Sequence, residues 1–181
     1  MDKPIAIVCG LGNPGDQYAL TRHNAGFMTV DILAERHGVR YWKSQAGCSV
    51  AQMRLGDTTY TLAKPQAYMN TSGGPLSKLM REMHVRPEEV LVIHDEVDLP
   101  AGEIREKFDG GLNAHNGLRS IKAKLGTAAF WRLRVGIGRP PGKMSVADWA
   151  LRKLKGNFAE EFAVTCEQAA DALERLIREQ G

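Results

Sequence analysis

The sequence predicts an α/β fold, namely a single-domain three-layer sandwich in which helices cover both faces of a twisted, mixed central sheet. Two short and wholly apolar runs, at residues 5–9 and 90–93, are typical of strands that are buried on both faces. Amphipathic segments of helical period alternate with the strands, which favours an α/β sandwich. Two strand-like segments flank Gly56 and Asp57 and predict a hairpin, which argues against a purely parallel sheet.

Each element is predicted from its apolar period and from the residues at its ends. Strands are predicted at residues 5–9, 48–55, 58–63, 90–93, 104–108 and 131–137, and helices at about 24–37, 75–84 and 115–125. Gly38 and Gly126 follow two of these helices, in the position where a glycine commonly ends a helix. Pro75 suits the first position of its helix, because the N–H that it lacks would have no intrahelical partner there.

Two further helices are predicted at about 145–181. Ser145 with Asp148, and Asn157 with Glu160, have the spacing of capping boxes, in which side chains at a helix start satisfy free backbone N–H groups. The chain shows no internal repeat, linker or low-complexity tract. We therefore expect residues 1–181 to form one domain on which these helices pack.

Length and composition argue against a membrane-spanning or disulfide-rich protein. The 181 residues suit one domain with a sizeable core and contain no run of 18 apolar residues. The first residues lead into a strand and lack the parts of a signal peptide. Cys9, Cys48 and Cys166 lie far apart and form no CxxC pair, so neither a disulfide framework nor a structural zinc site is indicated. We expect a cytoplasmic protein with no membrane partner.

Positive charge is concentrated in residues 104–143. Nine Lys and Arg residues there face two acidic ones, a net of +7, so the rest of the chain carries −4 of the overall +3. A local basic field favours a polyanion such as RNA. A solvated helix face with loop lysines is an equally good interpretation from charge alone.

The segment GLGNPGDQYALTRHNAGF, residues 10–27, is the most informative part of the chain. Its glycines allow a tight turn and a close approach to a ligand, and the segment brings Asn13, His23 and Asn24 to that turn. The spacing fits the dinucleotide fingerprint GxGxxG, but Pro14 removes a backbone donor from the would-be phosphate cradle. The acidic residue that ribose binding requires about 20 residues on is missing, as is the lysine of a Walker loop. Nucleotide binding is therefore the weakest alternative.

Polar side chains are predicted to gather at the carboxyl edge of the sheet, where open α/β sheets place their sites. They come from loops at residues 13–24, 68–70, 94–98 and 113–116. A carboxylate such as Asp95 can hold the tautomer of an imidazole, the imidazole can take a proton from water, and amides can orient the water and an oxyanion. The pattern predicts a general-base site.

Other interpretations of these residues remain open. A metal site could be built from His94, Asp95, Glu96 and Asp98, but acidic turns after strands are common and no second histidine has ligand spacing, so no metal is predicted. The chain has no GxSxG elbow and no cysteine in a motif beside a histidine, which argues against a covalent nucleophile. Structural roles are also possible: helix caps for Asn70 and Asn116, turn residues for Asn13 and Asp95, a turn partner for His23, and core packing for Tyr68 and Met69.

Four blocks taken jointly resemble the bacterial-type peptidyl-tRNA hydrolase family. They are GLGNPGDQYALTRHNAGF, KPQAYMNTSGG, HDEVDLPAGEIREKFDGGLNAHNGLRSI and FWRLRVGIGRP, and they occur in the family's order and spacing. The resemblance runs from Ile5 into the C-terminal helices. Three departures are visible: Leu112-Asn113-Ala114 where the family continues in glycine, Ala67 where threonine is common, and Glu96 where aspartate is common.

The resemblance implies an esterase that cleaves the bond between a peptide and the terminal ribose of tRNA, as a monomer without metal or organic cofactor. It implies that His23 is the catalytic base and Asp95 its carboxylate partner. It places substrate-binding residues at Asn13, Tyr18, Tyr68, Met69, Asn70, His115 and Asn116. It places tRNA phosphate contacts at Lys107 and Arg134, inside the basic segment. The alternative is a non-catalytic RNA-binding member of the same fold, and retention of His23 and Asp95 speaks against it.

Overall fold

One seven-stranded mixed sheet organises this computed structural model, which describes residues 4–112 and 115–180. The strands are β1 Ile7–Gly10, β2 Lys43–Gln45, β3 Cys48–Leu55, β4 Thr58–Pro65, β5 Val90–Glu96, β6 Ile104–Phe108 and β7 Trp131–Gly136. Their order across the sheet is β2-β3-β4-β1-β5-β7-β6. The central four, β4, β1, β5 and β7, are parallel, whereas β2, β3 and β6 pair antiparallel with their neighbours. The prediction of a mixed sheet is confirmed.

Helices cover both faces of this sheet. They are α1 Ala25–Arg36, α2 Gly73–Met83, α3 Asn116–Leu125, α4 Val146–Leu151 and α5 Asn157–Gln180. One core contains buried side chains of α1 and α5, such as Leu33 and Leu173. A second core contains side chains of α2 and α3, such as Leu79 and Ile121. Two separate cores on one sheet make the three-layer sandwich that the sequence predicted. No helix within the described residues is both long and apolar enough to cross a membrane.

Strand β5 separates the two cores and continues into the polar residues at its carboxyl end. Leu91 and Ile93 belong to the α1–α5 core, whereas Val90 and Val92 belong to the α2–α3 core. All seven residues of β5 are buried. The strand extends to Glu96, beyond the predicted apolar run, because its last three residues still pair with β7. A polar strand end is thereby held rigidly between two helical layers.

Close backbone packing fixes helix α1 against the ends of β1 and β5. A Cβ atom on Gly26 would lie 2.3 Å from the carbonyl oxygen of Ile93, and one on Gly10 would lie 2.2 Å from the carbonyl oxygen of Gly26. A Cβ on Gly12 would meet the ring of Phe27 at 2.6 Å. Gly10 and Gly12 therefore allow the close approach of helix α1, and the expected approach of a ligand to these glycines stays a prediction.

Most predicted boundaries agree with the structure to within a few residues, and two differences have clear causes. Strand β2 was not predicted, because its three residues, Lys43–Gln45, are polar and lie at a sheet edge. Ser145 caps α4 through its hydroxyl, which accepts from the N–H of Asp148 at 3.0 Å. The cap predicted at Asn157 is wrong, because α5 begins at that residue and the carbonyl of Gly156 accepts the first helical bonds.

Candidate active site

His23 and Asp95 meet at the carboxyl edge of the sheet. His23 Nδ1 lies 2.9 Å from Asp95 Oδ2 and 3.1 Å from Oδ1. The His23 side chain is 15% exposed and that of Asp95 is 4% exposed. The pair shares a cavity of about 530 Å³, and because Nδ1 is engaged by the carboxylate, Nε2 is the ring nitrogen left for a ligand or for water.

The short 3-10 turn Arg22–Asn24 carries His23 and leads directly into α1. Gly26, three residues on, packs against the backbone of Leu11 and Ile93. Asp95 follows Ile93 by two residues on β5, so it points to the same face of the sheet. We therefore expect the glycine contact between α1 and the end of β5 to determine the distance between the imidazole and the carboxylate.

His115 approaches the same carboxylate from the other helical layer. It is the N-cap of α3, and its Nδ1 accepts from the N–H groups of Gly117 at 3.1 Å and Leu118 at 3.3 Å. Its Nε2 lies 2.9 Å from Asp95 Oδ1. Asp95 is thus held between an imidazole on the α1 side of the sheet and one on the α3 side.

The electrostatics of this cluster favour an ionised carboxylate. Burial acts to raise the pKa of Asp95, but the neighbouring imidazoles of His23 and His115 and their hydrogen bonds outweigh it and hold that pKa well below its usual range. Burial acts to lower the pKa of His23, but the charge and hydrogen bond of Asp95 raise it overall. Burial also lowers the pKa of His94 to about 3, so that ring stays neutral.

A second polar arrangement orients Asn13. The side chain of Asn24 makes two hydrogen bonds to the backbone of Asn13, accepting from its N–H at 2.9 Å and donating to its carbonyl at 3.0 Å. Asn13 Oδ1 then accepts from the N–H of Met69 at 2.6 Å. With its oxygen engaged, Asn13 offers its Nδ2 group as a donor. The sequence analysis named Asn24 in this polar loop but gave it no role, and the structure shows that its side chain holds the backbone of Asn13.

The structure divides the predicted residues between two cavities. His23, Asp95, His115 and Asn116 line the larger one, whose opposite wall is the apolar side of α4, formed by Val146, Ala147, Ala150 and Leu151. Asn13 and Asn24 line a separate cavity of about 220 Å³ beside Lys64. Asn13 thus belongs to the neighbourhood of the pair but not to the cavity that holds it.

The remaining predicted substrate contacts are not among the residues that line the cavity of His23 and Asp95. Tyr18 and Tyr68 pack edge to face with ring centres 6.3 Å apart, and Tyr68 is 60% exposed. Asn70 is exposed in the single turn Met69–Thr71, whereas the side chain of Met69 is buried in the α2–α3 core. Asn113 and Ala114 of the fourth polar loop lie outside the described residues. Nothing in these positions tests a contact with substrate, so those roles stay predictions.

Four cations share one face of the sheet at its β6–β7 edge. Register pairs Lys107 with Arg132 and Arg105 with Arg134, and directly opposed residues point to the same side. Arg132 is buried and donates to the carbonyls of Gly111 at 2.5 Å, Ala128 at 3.0 Å and Gly110 at 3.3 Å. Arg105 contacts Glu103. Lys107 and Arg134, the two predicted phosphate contacts, are thus neighbours on a basic face.

Three ligand-type residues lie close enough to surround a metal ion, and they differ from the set considered from sequence. Nitrogen and oxygen atoms of His23, Asp95 and His115 lie within 4.8 Å of one another. Both imidazoles are hydrogen-bonded to the carboxylate directly, so an ion could enter only after both bonds had broken. In the other set, His94 Nδ1 bonds to the backbone carbonyl of Asp95, and Asp98 pairs with Arg139.

Comparison with known proteins identifies the family of this chain. A family model described as peptidyl-tRNA hydrolase matches residues 7–181. The chain belongs to the peptidyl-tRNA hydrolase family. A peptidyl-tRNA hydrolase of Frankia alni is 50% identical over 94% of this chain and 87% of its own length, and one of Nocardia farcinica is 49% identical over 96% and 90%. The crystal structure of the Acinetobacter baumannii peptidyl-tRNA hydrolase superposes with a TM-score of 0.88 at 35% identity, covering 97% of this chain and 90% of that one. The resemblance seen in the four sequence blocks is thereby confirmed at the level of family and fold.

Proposed function

We propose that this peptidyl-tRNA hydrolase family member cleaves the ester between a peptide, or an N-blocked amino acid, and the terminal ribose of tRNA, with His23 as general base. The activity follows from family membership over nearly the whole chain. One observation carries the catalytic assignment: an imidazole bonded through Nδ1 to a buried carboxylate, on the wall of a 530 Å³ cavity. The alternative, a non-catalytic RNA-binding member, has nothing in the structure to favour it.

The contacts of His23 and Asp95 support the following steps of a hydrolysis. Asp95 accepts a hydrogen bond from the Nδ1–H group of His23, which leaves the lone pair of Nε2 free to take a proton from a water molecule. The hydroxide attacks the acyl carbon, and the imidazolium that forms is stabilised by the adjacent carboxylate. When the tetrahedral intermediate collapses, the ester C–O bond breaks and Nε2–H gives its proton to the departing ribose oxygen, which becomes a hydroxyl. Water and ester thus become acid and alcohol.

Amide donors complete the proposed site. Asn13, oriented by Asn24 and the N–H of Met69, offers Nδ2, and Asn116 lies on the cavity wall at the first turn of α3. Either amide suits a developing oxyanion. Tyr18, Tyr68, Met69 and Asn70 remain proposed substrate contacts.

The basic face of β6 and β7 is the proposed tRNA contact. Lys107 and Arg134 lie on one side of the sheet edge, where phosphates would contribute sequence-independent affinity. We further propose that residues 1–181 act as one catalytic domain, as a monomer in the cytoplasm, and without a metal or cofactor.

The decisive experiment measures release of an N-blocked aminoacyl group from tRNA, with unblocked aminoacyl-tRNA as the control substrate. We expect His23→Ala to lower kcat on the order of a hundredfold or more while the Kd for tRNA stays nearly unchanged. His84→Asn is the matched control, because His84 is exposed and left-handed (φ 56°), a conformation that asparagine tolerates. Wild-type turnover in His23→Ala would refute the base assignment, and tRNA binding without any ester release by the wild-type protein would favour the non-catalytic alternative.

A further inference from the structure

We propose that His115 is a positioning residue, whose Nε2–H holds Asp95 from the second helical layer and limits how strongly that carboxylate binds the proton of His23. The inference rests on the proposed function of His23 and Asp95. It gives His115 a role in tuning the base, in place of the substrate contact that the sequence predicted.

The backbone of α3 determines which nitrogen of His115 carries hydrogen. Nδ1 accepts from two N–H groups, those of Gly117 at 3.1 Å and Leu118 at 3.3 Å, so it carries no proton itself. The hydrogen is therefore on Nε2, which lies 2.9 Å from Asp95 Oδ1. Because the donors are backbone groups at a helix start, this tautomer is built into the fold.

The two imidazoles share one carboxylate oxygen. Asp95 Oδ1 lies 2.9 Å from His115 Nε2 and 3.1 Å from His23 Nδ1, and Oδ2 lies 2.9 Å from His23 alone. The carboxylate is 4% exposed, so water compensates little for a lost donor. The hydrogen bond that Asp95 accepts from His115 reduces the negative charge available to His23.

Both ring nitrogens of His115 are engaged, which is why a substrate contact through this ring is disfavoured. The ring also packs against two other imidazoles, with its centre 5.1 Å from that of the neutral His94 ring and 5.2 Å from that of the His23 ring. Because both nitrogens are hydrogen-bonded and the ring packs against two neighbours, His115 can orient Asp95 but has no free polar atom for a substrate.

The other charged groups around His23, Asp95 and His115 affect the Asp95 carboxylate less than the two imidazoles do. Strand β5 adds His94 and Glu96, β7 adds Arg132 beyond His94, and the loop after β5 adds Asp98, which pairs with Arg139. The turn that carries His23 adds Arg22, whose guanidinium stacks on Trp149 at 3.5 Å. The α4 residues that line the cavity are apolar. The strongest neighbours of Asp95 are His23 and His115.

Two substitutions separate the hydrogen bond of His115 to Asp95 from its role as the cap of α3. His115→Asn places an oxygen near the position of Nδ1 and keeps the helix cap, but it removes the donor to Asp95. His115→Gln is long enough to place an amide N–H near the position of Nε2 and to restore that donor. The readouts are the titration of the His23 ring by 15N NMR, the acid limb of kcat/KM against pH, and KM.

In His115→Asn we expect the titration midpoint of His23 and the acid limb to rise together by on the order of half a pH unit or more, with KM nearly unchanged. In His115→Gln both should lie close to wild type. The 15N shifts of His115 in the wild-type protein at pH 8 should report hydrogen on Nε2.

An unmoved His23 midpoint in His115→Asn overturns the proposal, as does an equal shift in both variants. A raised KM with an unmoved midpoint would instead assign His115 to substrate binding. The NMR titration needs no hydrolysis, so it tests this inference even if the chain fails to cleave peptidyl-tRNA.

Discussion

Substitution of Gly26 tests whether backbone packing sets the geometry of the catalytic pair. An added Cβ would lie 2.3 Å from both the carbonyl oxygen of Ile93 and the nitrogen of Leu11, and 2.6 Å from the oxygen of Leu11. These are backbone atoms of strand β5 and of the residue that follows strand β1, so they cannot move aside as a flexible side chain would. To restore ordinary contact near 3.4 Å, helix α1 must move away from the sheet by about 1 Å.

Such a displacement carries His23 with it, because the turn Arg22–Asn24 leads directly into α1. The bond from His23 Nδ1 to Asp95 Oδ2 is 2.9 Å long, so an added 1 Å takes it out of hydrogen-bond range. A misplacement of this size costs about a hundredfold in rate. We therefore expect Gly26→Ala to lower kcat about 100-fold and the free energy of unfolding by about 1–3 kcal/mol, the usual range for overpacking.

The assay is single-turnover release of an N-blocked aminoacyl group, combined with denaturant unfolding. Gly74→Ala is the matched control, because Gly74 also lies in the first turn of a helix but a Cβ there would meet nothing within 4 Å. Alanine should be neutral or stabilising at that position. Wild-type kcat in Gly26→Ala, or stability equal to that of Gly74→Ala, would refute the claim that close packing fixes the pair.

Three further perturbations probe the base, the tRNA contact and the first loop. Asp95→Asn removes the negative charge that raises the pKa of His23 and leaves the burial that lowers it. The acid limb of kcat/KM should therefore move to lower pH while the plateau falls on the order of 100- to 10,000-fold, and an acid limb that stays in place would contradict this. Lys107→Ala and Arg134→Ala should each weaken binding similarly for different tRNAs and flatten its salt dependence, and a loss confined to one tRNA would contradict phosphate contact. Asn24→Ala removes both hydrogen bonds from its side chain to the first loop, so we expect a kcat loss of about tenfold or more with the pH profile unmoved, and an altered acid limb would mean that it acts through the base instead.

The parts of the fold that the sequence predicted well are those that depend on local periodicity. The apolar runs of β1 and β5 and the hairpin around Gly56 and Asp57 were placed nearly as observed, because burial on both faces and a turn signal are visible within a few residues. Strand β2 was missed, because three polar residues acquire their strand conformation from pairing with β3. The convergence of polar loops at one sheet edge was also predictable, since it follows from parallel strand direction.

What each side chain does within the site depended on contacts that local sequence does not carry. Asn24 has the residue type and position of a helix cap, yet its carboxamide bonds to the backbone of Asn13, eleven residues away. His115, which the resemblance assigned to substrate, caps α3 with one nitrogen and holds Asp95 with the other. These hydrogen bonds depend on how close the starts of α1 and α3 lie to the ends of β1 and β5 in the folded chain.

The position of Asp95 on strand β5 explains why one carboxylate can accept hydrogen bonds from both helical layers. Within the strand, alternate residues belong to opposite cores, so a carboxylate there would reach only one layer. Asp95 lies near the strand end, where the turn before α1 and the start of α3 both reach the sheet edge, and its two oxygens accept from both sides. A shift of α1 or of α3 would therefore change the charge that His23 experiences. Gly26→Ala should act through one side of this arrangement and His115→Asn through the other, so their effects on the His23 midpoint should be opposite in sign.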